Sequence, residues 1–252
     1  NGAFNPNGAV NWARANFTDG YNTENMLYYN TEKVGLKSNT VVPTGRRDIN
    51  EYIVYSKAYL PAVTDTIFLR LYSLHLKSSQ GASNELQRAI EAKALRQWLD
   101  ARPAKNVIVG GDFNVYTSTE PCLDTLLNTG AFKLYDPIAS PGNWHNNSFY
   151  AHLHTQSTRS AALSDGSGGG MDDRFDIIYA SGDVMIGNNS VRYIPGTYIA
   201  PGNDDAHFND GLNELPNGEV PDSIALALFY MSDHTPVIMQ VEIDTALQEP
   251  VS

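Results

Sequence analysis

Short apolar runs separated by turn formers divide the chain. Between Asp65 and Leu76, Ile67, Leu69 and Leu71 alternate with Arg70 and Tyr72, the two-residue period of a strand with one buried face. Met26 to Tyr29 before Asn30, and Glu51 to Tyr55 after Arg46-Arg47-Asp48, read as further strands. From Asn84 to Ala101 the period changes: Leu86, Ala89, Ile90, Ala94, Leu95, Trp98 and Leu99 recur at helical spacing, with Asn84 and Gln87 as a capping box and Pro103 as the stop. Val107-Ile108-Val109 reads as a short buried strand and Pro121 to Gly130 as a short helix. Phe175 to Ala180, Ile224 to Tyr230 and Pro236 to Ile243 read as later strands. Strands and helices without strict alternation predict an α+β layered fold. The expected organisation is a single domain over residues 1–252, with irregular tails at 1–17 and 244–252 and turn-rich loops at 1–25 and 203–222. No fixed repeat period is visible. Gly166-Ser167-Gly168-Gly169-Gly170 lacks the helix opening of a phosphate cradle, so it is expected to be a hinge or tight loop.

Composition narrows the class. Hydrophobic residues make up 42% and charged residues 18% of the 252, enough for a core and too little charge for a disordered chain. Seventeen Lys plus Arg against 28 Asp plus Glu leave a net charge of −11. Bulk electrostatics therefore do not favour wrapping nucleic acid, and a polyanionic substrate would need a local basic spot or a metal. The lone Cys122 excludes an intramolecular disulfide and any multi-cysteine zinc site. No run of about 18 apolar residues is present, so no membrane-spanning helix is expected. The opening Asn1-Gly2-Ala3-Phe4 carries neither initiator methionine nor signal peptide, and the expectation is an excerpt or mature product of a longer chain. Asn-rich, cysteine-poor composition points to an exported bacterial protein, extracellular or periplasmic.

Candidate chemistry collects at the ends of apolar strands, where a sheet presents groups to a common cleft. His75 closes one run, and Asp112-Phe113-Asn114 follows Val107-Ile108-Val109 after two glycines. Asp233-His234 lies between two apolar runs, and Asp176 sits in the opening of another, a costly place for a carboxylate without a partner. Hard oxygen ligands such as Asp112 and Asn114 suit Mg²⁺, Mn²⁺ or Ca²⁺, and a His/Asp pair suits proton transfer near neutral pH. Together they describe metal-assisted hydrolysis of a phosphoester. Asp172 and Asp173 read as solvated loop acids. His145, His152 and His154 read as solvated loop histidines, because no cysteines or matched acidic ligands accompany them. Thr155 to Arg159, with Thr155 as a candidate substrate contact, is a candidate lining of the cleft. Trp12, Trp98 and Trp144 are assigned to packing.

Four motifs carry a resemblance: Ser73-Leu74-His75-Leu76-Lys77, Gly111-Asp112-Phe113-Asn114, Arg174-Phe175-Asp176-Ile177-Ile178 and Ser232-Asp233-His234-Thr235-Pro236. In this order they resemble the endonuclease/exonuclease/phosphatase superfamily with the deoxyribonuclease-I-like fold, over about Thr18 to Ile243. The resemblance implies a four-layer α/β/β/α sandwich of two mixed β-sheets flanked by helices, with the active site at one edge. It implies Asp112 and Asn114 near the phosphate and attacking water, and Asp176 beside that water. His75 would serve the phosphate or leaving group, and His234 would be the base or a phosphate ligand. Arg47 and Lys77 would contact the substrate, and Asp112 and Asp233 would hold Mg²⁺, or Mn²⁺ or Ca²⁺.

The chain also departs from the family. The family's first strand ends in Asn and its second in Gln-Glu, whose Glu is a principal metal ligand; neither has a counterpart, and the match begins at Asp19-Gly20-Tyr21. Leu247-Gln248-Glu249 follows no strand ending in Asn, so it reads as chance. The expectation is an N-terminally incomplete domain with an incomplete metal site and an exposed sheet edge, monomeric unless a partner chain supplies the missing strand. The implied activity is a metal-dependent phosphodiesterase or nuclease. The alternatives are a phosphomonoesterase or lipid-headgroup phosphodiesterase on the same scaffold, and a non-catalytic binding module.

Overall fold

Strand β5 (Phe68–His75) and strand β6 (Val107–Asp112) pair in parallel, which requires a crossover. Helix α1 (Ala82–Ala101) supplies it. A computed structural model describes residues 11–20, 25–57 and 66–243. In it β5 and β6 form the centre of a six-stranded mixed sheet. On one side lie β4 (Ile49–Ser56) and β3 (Val34–Val42); on the other lie β8 (Asp176–Ser181) and the short β7 (Leu134–Tyr135). All of its pairings except β5–β6 are antiparallel.

The sheet is covered on both faces. On one face Tyr72, Leu74, Val107, Val109, Ile177 and Tyr179 pack with Ala92, Leu95 and Leu99 of α1. Leu95 and Leu99 are fully buried, worth about 1.5–3 kcal/mol each. On the other face Val54, Leu69 and Ala180 meet Val184 of helix α3 (Gly182–Ile186) and β9 (Val191–Tyr193). β9 pairs antiparallel with β10 (Val241–Ile243), and an isolated bridge joins Ile199 to Ile238. This is an α+β arrangement, as expected. Among the described residues the six-stranded sheet is accompanied by two two-stranded antiparallel sheets, one of them the β9–β10 pair.

Several local expectations are corrected. Asn84 and Gln87 do not cap α1: the helix starts two residues earlier, Asn84 Nδ2 donates to the Gln80 carbonyl and Gln87 Nε2 to Glu91 Oε1. Leu86 and Ile90 of the apolar stripe are exposed, while Arg88, Glu91 and Arg96 are buried. The buried charges have local partners that an apolar period does not reveal. Arg88 pairs with Glu120 at 2.8 Å and donates to the carbonyls of Lys77 and Ser79, and Glu91 accepts the Lys77 N–H. The run Ile224 to Tyr230 is helical, within α4 (Asp222–Met231). Its buried residues, Ala225, Leu228 and Phe229, have the helical spacing that a continuous apolar run conceals. Only Val241–Ile243 of the expected Pro236 to Ile243 strand is regular.

The tail expected at 1–17 contains a strand, β1 (Trp12–Arg14), paired with β2 (Tyr28–Asn30). Helix α2 (Pro121–Leu123) runs into a π-helical turn at Asp124–Asn128. The tail at 244–252, with Leu247-Gln248-Glu249, lies outside the described residues. No described helix is long and apolar enough to cross a membrane.

The Arg88–Glu120 pair gives a stability prediction. Burial lifts the Glu120 carboxyl even with Arg88 beside it, so the pair is maintained against a desolvation cost. Glu120→Ala leaves a guanidinium buried and unpaired, and is expected to cost about 3–5 kcal/mol in urea unfolding. Leu86→Gln, on the exposed stripe, is expected to stay within about 0.5 kcal/mol of the parent.

Candidate active site

The register of the central strands aligns three of the expected residues. His75 of β5 stands opposite Asp112 of β6, and Asp112 opposite Asp176 of β8, so all three lie at one level across the sheet edge. Gly111, at φ 145°, permits the close approach, since a Cβ there would meet the Leu74 carbonyl oxygen at 1.9 Å. Asn114 turns in the left-handed region at φ 52°, and its backbone N–H and Nδ2 donate to the two Asp112 oxygens at 2.8 Å each. His75 Nε2 lies 3.3 Å from Asp112 Oδ2.

The segment after α4 closes the site from the other side. His234 Nδ1 is 2.7 Å from Asp176 Oδ2. Thr155 Oγ1 accepts the N–H groups of Phe175 and Asp176 at 3.2 and 3.0 Å. Thr155 is buried and holds the backbone at the start of β8, at Asp176. Asp233 Oδ2 accepts the Ser167 N–H at 2.7 Å, with Gln156 Nε2 at 3.3 Å. Arg47 stands on the rim, donating to the Leu76 carbonyl and to Ser78 Oγ. Arg47, His75, Asp112, Asn114, Asp176 and His234 all line one open cleft of about 640 Å³. Lys77 does not join them: its Nζ donates to the Ser78 carbonyl at 2.8 Å, and its backbone is held by α1.

Of the expected lining Thr155 to Arg159, Gln156 does line the cleft, although its contact with His234 was not foreseen, and Ser167 was missed. Gln156 Nε2 lies 2.8 Å from His234 Nε2, although 78 residues separate them in the chain. The glycine-rich loop did carry a signal, because a Cβ on Gly166 would meet the Asp233 carboxyl carbon at 2.7 Å. The loop is tight, as expected, and it packs on the site.

The cleft separates its two histidines electrostatically. For His234, burial is the largest influence and disfavours the cation. The hydrogen bond and charge of Asp176, with Asp112 and Asp233 behind them, outweigh it and raise the pKa to about 9. For His75, burial and then the charges of Arg47 and His234 lower it to about 4. With its pKa so lowered the His75 ring is neutral, and its 3.3 Å approach to Asp112 is not an ion pair. Burial, then the Asp176 charge, pushes Asp112 up to about 7.

The expected metal pair is less well served. Asp112 already accepts twice from Asn114, and Asp233 from Ser167 and Gln156. Among the described residues, no three ligand atoms of the cleft converge. They converge instead at His145, Asp172 and Asp173, whose ligand atoms lie within 4.8 Å of one another and can hold a metal ion. This corrects the assignment of Asp172 and Asp173 to solvated loop acids and of His145 to a histidine without acidic partners. Asp173 is buried, and burial followed by the Asp172 charge raises its carboxyl to about 7. His154 is buried between the Met171 and Trp144 carbonyls at 3.2 and 2.9 Å, a loop anchor and not a solvated group.

The His234–Asp176 contact gives a pH prediction. In chelator-treated protein, the His234 ring should titrate by NMR near pH 9, and Asp176→Asn should bring the midpoint down. The stability this raised pKa contributes is complete below about pH 6.5, the ring's ordinary value, and is lost as pH rises through about 9. The gap in unfolding free energy between the parent and Asp176→Asn should therefore narrow between these limits.

No protein-family model matches the chain, and no curated protein matches it. Solved structures do. An endonuclease/exonuclease/phosphatase family protein from Bacteroides thetaiotaomicron matches with TM-score 0.54 at 15% identity, over 94% of this chain and 75% of that one. A mannosyl-6-phosphatase from the same organism matches with TM-score 0.51 at 14% identity, over 93% of this chain and 78% of that one. The catalytic domain of human Nocturnin, with bound sulfate anion, matches with TM-score 0.55 at 14% identity, over 93% of this chain and 73% of that one. At such identities the likeness speaks to the fold alone, and that fold is the one the strand-end motifs implied: the chain takes the deoxyribonuclease-I-like fold of the endonuclease/exonuclease/phosphatase proteins.

Proposed function

We propose that the chain hydrolyses phosphoesters, with a phosphodiester as the preferred class, in the cleft between β5, β6, β8 and the Asp233-His234 segment. The observation that carries this reading is the alignment of His75, Asp112 and Asp176 at one sheet edge with His234 held on Asp176. Two groups whose surroundings set their protonation apart are the signature of an acid and a base.

The chain's own residues divide the work as follows. Arg47 at the rim offsets phosphate charge. Asp112, its carboxyl near neutrality, accepts the proton of the attacking water, with Asn114 holding its orientation. His234, charged and fixed by Asp176, gives its proton to the leaving oxygen, and proton exchange with solvent restores both groups. The expected Mg²⁺, Mn²⁺ or Ca²⁺ on Asp112 and Asp233 finds an incomplete donor set here, and no step is routed through it. The mannosyl-6-phosphatase among the structural neighbours favours a second reading, a phosphomonoesterase in the same cleft.

Hydrolysis of a chromogenic phosphodiester and phosphomonoester pair tests both readings, with Mg²⁺ supplied. His234→Ala and Asp112→Asn are each expected to lower kcat/KM by about 10²–10⁴. Lys77→Ala, which lies away from the cleft, should leave it within about twofold of the parent. Retention of full activity in His234→Ala would sink the mechanism, and the faster of the two parent substrates decides between diester and monoester. With Arg47 the only lysine or arginine among the described residues lining the cleft, log kcat/KM on an oligonucleotide should fall with log salt at a slope no steeper than about −1; a steep slope would mean that further phosphates are engaged.

A further inference from the structure

A second cluster beside the cleft has a donor set of its own. His145 Nδ1 lies 2.8 Å from Asp173 Oδ1 and 4.0 Å from Asp172 Oδ2. Tetrahedral zinc with bonds of about 2.0–2.2 Å separates its ligand atoms by roughly 3.3–3.6 Å. The observed distances bracket that range, so shifts of well under an ångström would place all three atoms on one ion.

The cluster also lacks a counter-charge. Two adjacent carboxylates, one of them buried, face a single histidine, and among the described residues no lysine or arginine forms an ion pair with either. The neighbouring Arg174 is committed to Asp136 at 2.9 Å. Carboxylates so enclosed are costly unless paired or bound to a metal. The backbone holds the donors in place independently of any ion. Asn146, left-handed at φ 46°, donates its N–H to the Asp172 carbonyl at 2.9 Å. The N–H groups of Asp172 and Asp173 both reach the Gln156 carbonyl, and His145 N–H reaches the Tyr116 carbonyl.

From this geometry we propose that His145, Asp172 and Asp173 form a binding site for a divalent transition-metal cation of the zinc class, separate from the catalytic cleft. One imidazole with two carboxylates suits zinc better than the all-oxygen shells of magnesium or calcium. Three protein ligands leave the fourth position to water. The ion would clamp the loop around His145 to the segment leading into β8. The Tyr116 ring, which lines the cleft, meets both His145 and Phe175 edge-on at 5.1 and 5.0 Å. The clamp therefore fixes one wall of the cleft without contributing a reacting group.

Metal uptake tests the proposal without reference to catalysis. The full chain, stripped with chelator and dialysed, is titrated with Co²⁺ and followed by its visible absorption, then with Zn²⁺ and followed by thermal unfolding. One equivalent with a tetrahedral cobalt spectrum, and a rise in Tm with zinc, are expected. His145→Gln and Asp172→Asn should each weaken uptake at least about tenfold, while Asp112→Asn should leave it unchanged. Absence of uptake, uptake that survives both substitutions, or uptake that disappears with Asp112→Asn would overturn the assignment. If either variant fails to fold, X-ray absorption of the zinc-loaded parent decides: one imidazole in the first shell supports the site, and a shell of oxygens alone refutes it.

Discussion

The cleft depends on one constraint, the pairing register of β5, β6 and β8. His75, Asp112 and Asp176 face one another across neighbouring strands because Arg70 pairs with Val107 and Ile108 with Ala180 further down the same ladders. Since side chains alternate between faces, a slip of one residue in either ladder would turn the chemistry away from the cleft and carry polar groups into the core. The core residues Leu74, Val109 and Ile177 and the site residues are therefore specified together. Stability of the sheet and placement of the cleft's polar groups rest on the same register.

The remaining members of the site come from irregular chain, and buried polar contacts hold that chain in place. Behind β5, α1 uses Arg88 and Glu91 to fix the backbone of Lys77 and Ser79. Next to β8, Thr155 orders the start of the strand at Asp176. The Gly166–Gly170 loop brings Ser167 onto Asp233. The contacts of Arg88 and Thr155 satisfy groups that would otherwise be buried without a partner. Loops positioned in this way can carry precise groups without regular secondary structure of their own.

This division explains what was legible in the sequence. His75, Asp112, Asp176 and His234 stood at the ends or openings of apolar runs, so local pattern found them. Thr155 was noticed, but its burial under Asp176 was not, because the contact spans 21 residues. Lys77 belongs to a motif, but chain direction after β5 turns its amine to Ser78. Gln156, Ser167 and the pairing of His145 with Asp173 are long-range consequences of loop packing, and no period in the sequence reports them. The misreading of Ile224 to Tyr230 has a different origin: an uninterrupted apolar run suits a buried strand and a buried helix equally well.

The two polar clusters are linked through Gln156. Its carbonyl accepts the N–H groups of Asp172 and Asp173, while its side chain touches His234 and Asp233. Movement of the Asp172–Asp173 segment would therefore be felt at the His234 ring through a single residue. Packed elements of this kind shift between discrete arrangements instead of deforming gradually. Charge reinforces the connection, since the His234 cation is among the influences that hold the Asp173 carboxyl down against burial. Whatever neutralises the carboxylates beside His145 thus also bears on the His234 ring, and the loop that carries Gln156 couples the two.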